Sequence, residues 1–135
     1  MSYYKEHIGK IENFPIEGIT YRDIQPLLAN HNVFMDAIKD MGNLIETKPD
    51  YWIALESRGF LFASALSMLF GGGVRLIRKK GKLGNTKLLS VDYGLEYGKD
   101  SFEMAYIPTD LSWNGPDPKV VIVDDVFATG GTMKA

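Results

Sequence analysis

Apolar residues recur at Val33, Phe34, Ala37, Ile38, Met41, Leu44 and Ile45, with Asp36, Lys39, Asp40 and Asn43 among the residues between them. This spacing closes onto one face at a 3.6-residue period and predicts a helix over 33–45 whose apolar positions form core. Asn30 or Asn32 supplies its N-cap, and Pro49 bars its continuation. Tyr51 to Leu55 reads as a strand that runs straight into Glu56-Ser57-Arg58-Gly59. Phe60 to Phe70 is apolar around most of its circumference and predicts a buried helix, ended by Gly71-Gly72-Gly73. Val74 to Arg78 is a second strand. The order strand, loop, helix, strand over 51–78 is a βαβ unit with parallel strands.

The remaining segments are less regular. Residues 2–11 predict a short polar segment with a helix starting at Ser2. Between Phe14 and Pro26, two prolines and Gly18 forbid a long regular element, while the apolar residues there predict an ordered flap. Leu88 to Val91 and Phe102 to Ile107 read as strands, joined across Asp92 to Asp100 by a long hairpin or a mobile loop. Asn114 to Pro118 is a turn, and Lys119 to Val123 is the last strand. Its four consecutive β-branched residues, Val120 to Val123, predict burial on both faces. The pattern describes an α/β protein with a parallel sheet flanked by helices.

A chain of 135 residues is long enough for one domain with its own core. No apolar run approaches the roughly 20 residues of a membrane span, and the N-terminus lacks the apolar stretch of a signal peptide. These features point to a cytoplasmic protein without a membrane partner. A net charge of −2 argues against nucleic acid as the main partner. Without cysteine there is no disulfide or thiolate chemistry, and His7 and His31 alone argue against structural zinc.

Candidate chemistry gathers at the predicted strand ends. Asp124 and Asp125 close the last strand, and Ala128-Thr129-Gly130-Gly131-Thr132 follows shortly after. Small residues between a strand and a helix turn backbone N–H groups into one concavity, and the helix N-terminus adds partial positive charge. Thr129 and Thr132 add hydroxyl donors, so the stretch is a phosphate cradle. The two carboxylates suit sugar hydroxyls or a hydrated magnesium ion beside it. Phosphate and diol together indicate a ribose phosphate. A plain strand-to-helix turn with Asp caps accounts for Gly-Gly alone, but less well for the whole run.

Glu56-Ser57-Arg58-Gly59 lies at another strand end, and in an open α/β sheet such ends share one ligand crevice. Arg58 can grip an anion bidentately there; taken alone, it reads as a surface arginine paired with Glu56. Arg75, Arg78, Lys79, Lys80 and Lys82 form a basic cluster. It reads as a solvated face, a nucleic-acid surface, or a source of one or two cations, Lys82 first, facing a polyphosphate. Glu96-Tyr97 between Gly94 and Gly98 suits a closing lid, although a plain hairpin connection fits the spacing equally. The P-loop, the dinucleotide fingerprint and the nucleophile elbow are all absent from the sequence.

Together these residues resemble adenine phosphoribosyltransferases over nearly the whole chain. The resemblance rests on Phe-Pro-x-x-Gly-Ile-x-Tyr-Arg-Asp-Ile at 14–24, Glu-Ser-Arg-Gly-Phe-Leu-Phe at 56–62 and Arg-Lys-Lys-Gly-Lys-Leu at 78–83. It continues with Tyr-x-Leu-Glu-Tyr-Gly at 93–98 and Val-Asp-Asp-Val-Phe-Ala-Thr-Gly-Gly-Thr at 123–132. The last motif marks the type I phosphoribosyltransferases; the other four, in this order, mark the adenine enzymes.

The resemblance implies purine salvage: adenine and 5-phosphoribosyl-1-pyrophosphate give AMP and pyrophosphate in a cytoplasmic homodimer. It implies Mg²⁺ as cofactor, reached through substrate and water near Asp124 and Asp125, without direct protein ligands. It implies a single domain, with 1–30 as an N-terminal hood or flap and 31–135 as a core. The family's C-terminal helix and further strand or strands are missing from this sequence. Carried over, Ala128, Thr129, Gly130, Gly131 and Thr132 hold the 5′-phosphate, and Asp124 and Asp125 face the ribose hydroxyls. Glu56, Ser57, Arg58 and Gly59 grip pyrophosphate, with Lys82 assisting; the family often carries a cis peptide at the position of Glu56–Ser57. Thr20, Tyr21 and Arg78 line the adenine site, Tyr21 standing where the family usually has Phe. Glu96 addresses the purine imidazole nitrogen and Tyr97 closes over the site. Gly84-Asn85 stands where a proline usually follows Lys-Leu. The alternatives are a transferase for xanthine or hypoxanthine, and a non-catalytic nucleotide or phosphoribosyl-pyrophosphate sensor on the same fold.

Overall fold

The computed structural model describes residues 2–84, 87–95, 98–106 and 116–126. It divides into two compact units, Met1–Ile45 and Glu46–Ala135.

The first unit holds α1 (Ser2–Lys5), β1 (Gly9–Glu12), β2 (Thr20–Asp23), α2 (Gln25–Ala29) and α3 (His31–Asn43). The helix expected from Ser2 lasts one turn, because from Gly9 the backbone pairs antiparallel with β2, Lys10 opposite Arg22 and Glu12 opposite Thr20. As the prolines require, 14–26 contains only short elements. The Phe14–Pro15 bond is cis, and Pro26 occupies the first turn of α2, where a missing N–H breaks no helical bond.

Asn30 is the N-cap of α3, its side chain accepting from the Val33 N–H at 3.3 Å. Leu27, Val33 and Ala37 form a core with Tyr4, Ile8, Leu28 and Phe34 packed on it. Leu44 departs from the expected stripe: the helix stops at Asn43, two residues short of Ile45, and Leu44 is 80% exposed. The Tyr4 hydroxyl donates to Asp40, and that hydrogen bond, more than burial, pushes its pKa up to about 12.

The second unit holds β3 (Tyr51–Leu55), α4 (Gly59–Phe70), β4 (Gly73–Lys79), β5 (Leu88–Leu95), β6 (Gly98–Ala105) and β7 (Val120–Val123). They form a sheet in the order β5-β6-β4-β3-β7. β4, β3 and β7 are mutually parallel, as the βαβ unit requires, and the β5–β6 hairpin extends the sheet antiparallel.

One open reading is decided and one expectation is corrected. Of the two readings of 92–100, the long hairpin holds, since the β5–β6 ladder continues through Asp92↔Ser101 to Leu95↔Gly98. Cross-strand backbone bonding fixes this hairpin even though Asp92, Gly94 and Gly98 carry little strand propensity. β7 is not buried on both faces: Val123 is buried, but Val120 is 50% and Ile122 44% exposed. α4 packs on β3, β4 and β7 and covers one face of the sheet. Trp52, whose Nε1 donates to Gly71 O at the end of α4, lies on that face together with its register partner Val121. The two-residue period puts Val120 and Ile122 on the opposite face, and among the described residues β7 is an outer strand. β3, with neighbours on both sides, is buried from Trp52 to Leu55.

Candidate active site

Because β4, β3 and β7 run parallel, their carboxyl ends share one edge of the sheet. Glu56 and Asp124 each begin the backbone beyond a strand there, and Lys79 ends β4. The α4 N-terminus comes to the same edge. A Cβ on Gly59, its first residue, would lie 2.6 Å from Val123 O and 3.4 Å from Asp124 Cα. Only a residue without a side chain lets the helix sit this close to the end of β7.

This approach brings together two groups far apart in sequence. Arg58 Nε lies 2.9 Å from Asp125 Oδ2, with the Asp125 side chain 5% and that of Arg58 32% exposed. The ion pair is close, but its N–H is not aligned as a hydrogen bond. Burial pushes the Asp125 carboxyl above its ordinary value, the neighbouring Asp124 adds to the rise, and the Arg58 charge opposes it. Asp124 Oδ1 accepts the Asp125 N–H at 2.9 Å.

The Glu56 carboxylate turns the other way, so the local Glu56–Arg58 pair gives way to a longer-range one. Oε1 accepts from Arg78 Nη2 at 3.2 Å, and Oε2 accepts from Arg78 Nε at 3.4 Å and from the Lys79 N–H at 2.8 Å. Arg78 Nη1 in turn donates to Lys82 O at 3.3 Å, and its guanidinium lies 5.8 Å from the centre of the Phe60 ring. The Glu56–Ser57 peptide is cis. The basic cluster is thereby divided. Arg75 and Arg78, three residues apart on β4, fall on opposite faces, and Arg75 donates to Ala105 O and lies over the Tyr51 ring.

Burial raises the Glu56 pKa, but the Lys79 N–H, the Arg78 hydrogen bond and charge, and the Lys82 charge outweigh it and hold the carboxyl below its ordinary value. A depressed carboxyl contributes stability that is complete above the unfolded-state value of about 4.3 and is lost as pH falls through the lower folded-state value. Glu56→Gln should therefore flatten the acid limb of the stability curve below about pH 4.3 relative to the parent, measured by urea unfolding as a function of pH. Identical acid limbs would show that the clamp carries no such stability.

Of the residues singled out in the sequence, Glu56, Ser57, Arg58, Gly59, Arg78, Lys82, Asp124 and Asp125 lie in the second unit, and the contacts above link all of these except Ser57. Ser57 sits in the short loop between β3 and α4, its carbonyl accepting the Phe60 N–H at 3.2 Å. Thr20 and Tyr21 lie on β2 of the first unit. Thr20 Oγ1 donates to Glu12 Oε2 at 2.8 Å, and the Tyr21 ring meets Phe14 edge-on at 5.4 Å. Glu96, Tyr97, Ala128, Thr129, Gly130, Gly131 and Thr132 fall outside the described residues. One residue absent from the sequence reading is Glu103, buried on β6, whose Oε2 accepts the Gly81 N–H at 3.0 Å. A lone carboxylate between Phe102 and Met104 on a predicted strand was the available signal.

Residues 23–135 match the phosphoribosyl transferase domain family. The chain is 44% identical over 132 residues to the adenine phosphoribosyltransferase of Carboxydothermus hydrogenoformans, covering 97% of this chain and 74% of that protein. The chain belongs to the adenine phosphoribosyltransferase family. The corresponding enzyme of Hydrogenovibrio crunogenus is 42% identical, over 96% of this chain and 72% of its own length. Among solved structures, the adenine phosphoribosyltransferase of Saccharomyces cerevisiae, complexed with an imino-altritol bisphosphate and adenine, superposes with a TM-score of 0.84 at 35% identity. It covers 98% of this chain and 74% of its own. The adenine phosphoribosyltransferase of Thermoanaerobacter pseudethanolicus does so with the same TM-score and coverage at 38% identity. The mixed sheet with its three parallel strands is thus a type I phosphoribosyltransferase fold, and the edge bearing Arg58, Asp124 and Asp125 lies inside the matched domain.

Proposed function

We propose that this adenine phosphoribosyltransferase transfers the phosphoribosyl group of 5-phosphoribosyl-1-pyrophosphate to adenine, giving AMP and pyrophosphate in purine salvage. The observation that carries this reading is the approach of α4 to β7 at Gly59, which sets Arg58 against Asp125 on the shared strand-end edge. A cation, a helix N-terminus and a pair of carboxylates within one small region match a ligand that carries phosphates on one side and a diol on the other.

In this reading the bond between ribose C1 and the pyrophosphate oxygen breaks, leaving positive charge on C1 and the ring oxygen, as in glycoside chemistry. A purine nitrogen then bonds to C1, and its proton passes to Glu96. Arg58, Lys82 and the N–H groups at Ser57 to Gly59 stabilise the departing pyrophosphate. Asp124 and Asp125 bind the ribose hydroxyls, and Ala128 to Thr132 bind the 5′-phosphate. Thr20, Tyr21 and Arg78 hold adenine, and Tyr97 covers the site against water. The hard carboxylate oxygens of Asp124 and Asp125 fit a hydrated magnesium ion. In this reading Asp124 and Asp125 would hold the ion through substrate and water. When bound, it neutralises diphosphate charge. The reading includes one phosphoribosyltransferase domain with an N-terminal hood, assembled as a cytoplasmic homodimer; no described helix is long and apolar enough to cross a membrane.

A panel of adenine, hypoxanthine, xanthine and guanine, each with phosphoribosyl pyrophosphate and Mg²⁺, tests the base assignment. Adenine should be used at least on the order of a hundredfold faster than the others, as expected where buried polar groups read the base edge. Preferential use of hypoxanthine or xanthine would replace the adenine reading.

A further inference from the structure

The turn that follows β4 is fixed more completely than an exposed basic loop requires. Four successive backbone N–H groups have acceptors: Lys79 on Glu56 Oε2 at 2.8 Å, Lys80 on Ser101 O at 3.1 Å, Gly81 on Glu103 Oε2 at 3.0 Å, and Lys82 on Lys79 O at 3.2 Å. The Lys82 carbonyl accepts from Arg78. Gly81 reverses the chain at φ +80°, a conformation that glycine adopts without strain.

Glu103 is the component of this turn for which neither the fold nor the site chemistry accounts. It is 7% exposed and sits between apolar neighbours on β6. A buried carboxylate is costly unless its oxygens are bonded. An apolar residue between Phe102 and Met104 would serve the sheet better. Register places Glu103 directly across from Arg78 on the adjacent strand, so its carboxylate stands beside the residue that Glu56 grips and beneath the turn that both support.

We propose that Glu103 is a positioning residue for phosphoribosyl-pyrophosphate use: by capturing the Gly81 N–H it fixes the turn that presents Lys82 to the diphosphate. The proposal rests on the assignment of Lys82 to that group. A lysine on an unanchored loop loses more freedom on meeting its anion than one whose backbone is already held. Glu103 from within β6 and Glu56 from the end of β3 supply that anchoring, leaving the Lys82 ammonium itself to the ligand.

The test is steady-state kinetics on Glu103→Ala, Glu103→Gln, Lys82→Ala and the double variant Glu103→Ala/Lys82→Ala. Glu103→Ala should raise KM for phosphoribosyl pyrophosphate about tenfold, as loss of a hydrogen bond to a charged group does, with KM for adenine nearly unchanged. Glu103→Gln keeps an acceptor oxygen and should recover most of the loss. In the Lys82→Ala background, Glu103→Ala should add less than about twofold, because the group it positions is gone. If the alanine variant does not fold, Glu103→Asp, which keeps the charge but falls one methylene short of Gly81, should show the same split between substrates. Equal effects on both KM values, no rescue by glutamine, or a full additional penalty in the Lys82→Ala background would overturn the proposal. If Lys82→Ala alone leaves phosphoribosyl-pyrophosphate KM unchanged, the Lys82 assignment fails first and the proposal with it.

Discussion

Replacing Gly59 by alanine should lower kcat/KM for AMP formation by about a hundredfold or more, the loss expected when reacting groups shift by about 1 Å. The added Cβ would stand 2.6 Å from Val123 O, a backbone atom that cannot rotate away. Either the α4 N-terminus lifts from the sheet or the end of β7 moves, and each displaces Arg58 from Asp125. The stability cost is that of overpacking, about 1–3 kcal/mol, so the variant remains folded in a domain of ordinary stability. Thermal unfolding alongside kinetics separates the two effects. A folded Gly59→Ala protein with activity within about threefold of the parent would show that the close approach does not set the site geometry.

The second large effect is expected at the Arg58–Asp125 pair. Asp125→Asn removes the counter-charge of Arg58 while preserving side-chain size, and it leaves a cation facing a neutral partner at 2.9 Å. Breaking such a pair from one side costs more than the pair contributes, and use of phosphoribosyl pyrophosphate should fall on the order of a hundredfold. KM for adenine should change little. Arg58→Ala should have a comparable effect, and the double variant should be little worse than the poorer single one, because the two side chains share one interaction. Equal losses for both substrates, or additive losses in the double variant, would remove Asp125 from this role.

The parts of the fold most readable from sequence were those with a strong local signal. The stripe from Val33 to Ile45 gave α3 to within two residues at either end, and the Asn30 cap was one of two candidates. The apolar run from Tyr51 and the three glycines after Phe70 bounded β3 and α4, because continuous apolar composition and glycine punctuation are properties of the chain itself. What failed depended on partners. Val120 to Val123 are β-branched throughout, yet which face is covered is decided by where α4 lies and by the position of β7 in the sheet. The long hairpin over 92–100 was one of two readings, because its arms Asp92–Leu95 and Gly98–Asp100 are held by cross-strand hydrogen bonds and carry no apolar alternation of their own.

The same division holds for the site. The motifs identified Arg58, Asp125, Glu56 and Arg78, but sequence proximity paired Glu56 with Arg58, whereas the fold gives Asp125 to Arg58 and Arg78 to Glu56. Those pairings span 67 and 22 residues of sequence and exist only once β3, β4 and β7 are aligned. The lone carboxylate Glu103 stood out on its predicted strand, but its partner did not, being a backbone N–H on another strand's turn.

The central claim is that this edge of the sheet supports transfer of a phosphoribosyl group to adenine, and product stoichiometry tests it most directly. Purified protein incubated with adenine, phosphoribosyl pyrophosphate and Mg²⁺, with products separated by chromatography, should yield AMP and pyrophosphate in equal amounts over many turnovers. Calorimetric binding of phosphoribosyl pyrophosphate with no AMP formed, or release of pyrophosphate with free ribose 5-phosphate in place of AMP, would contradict the account.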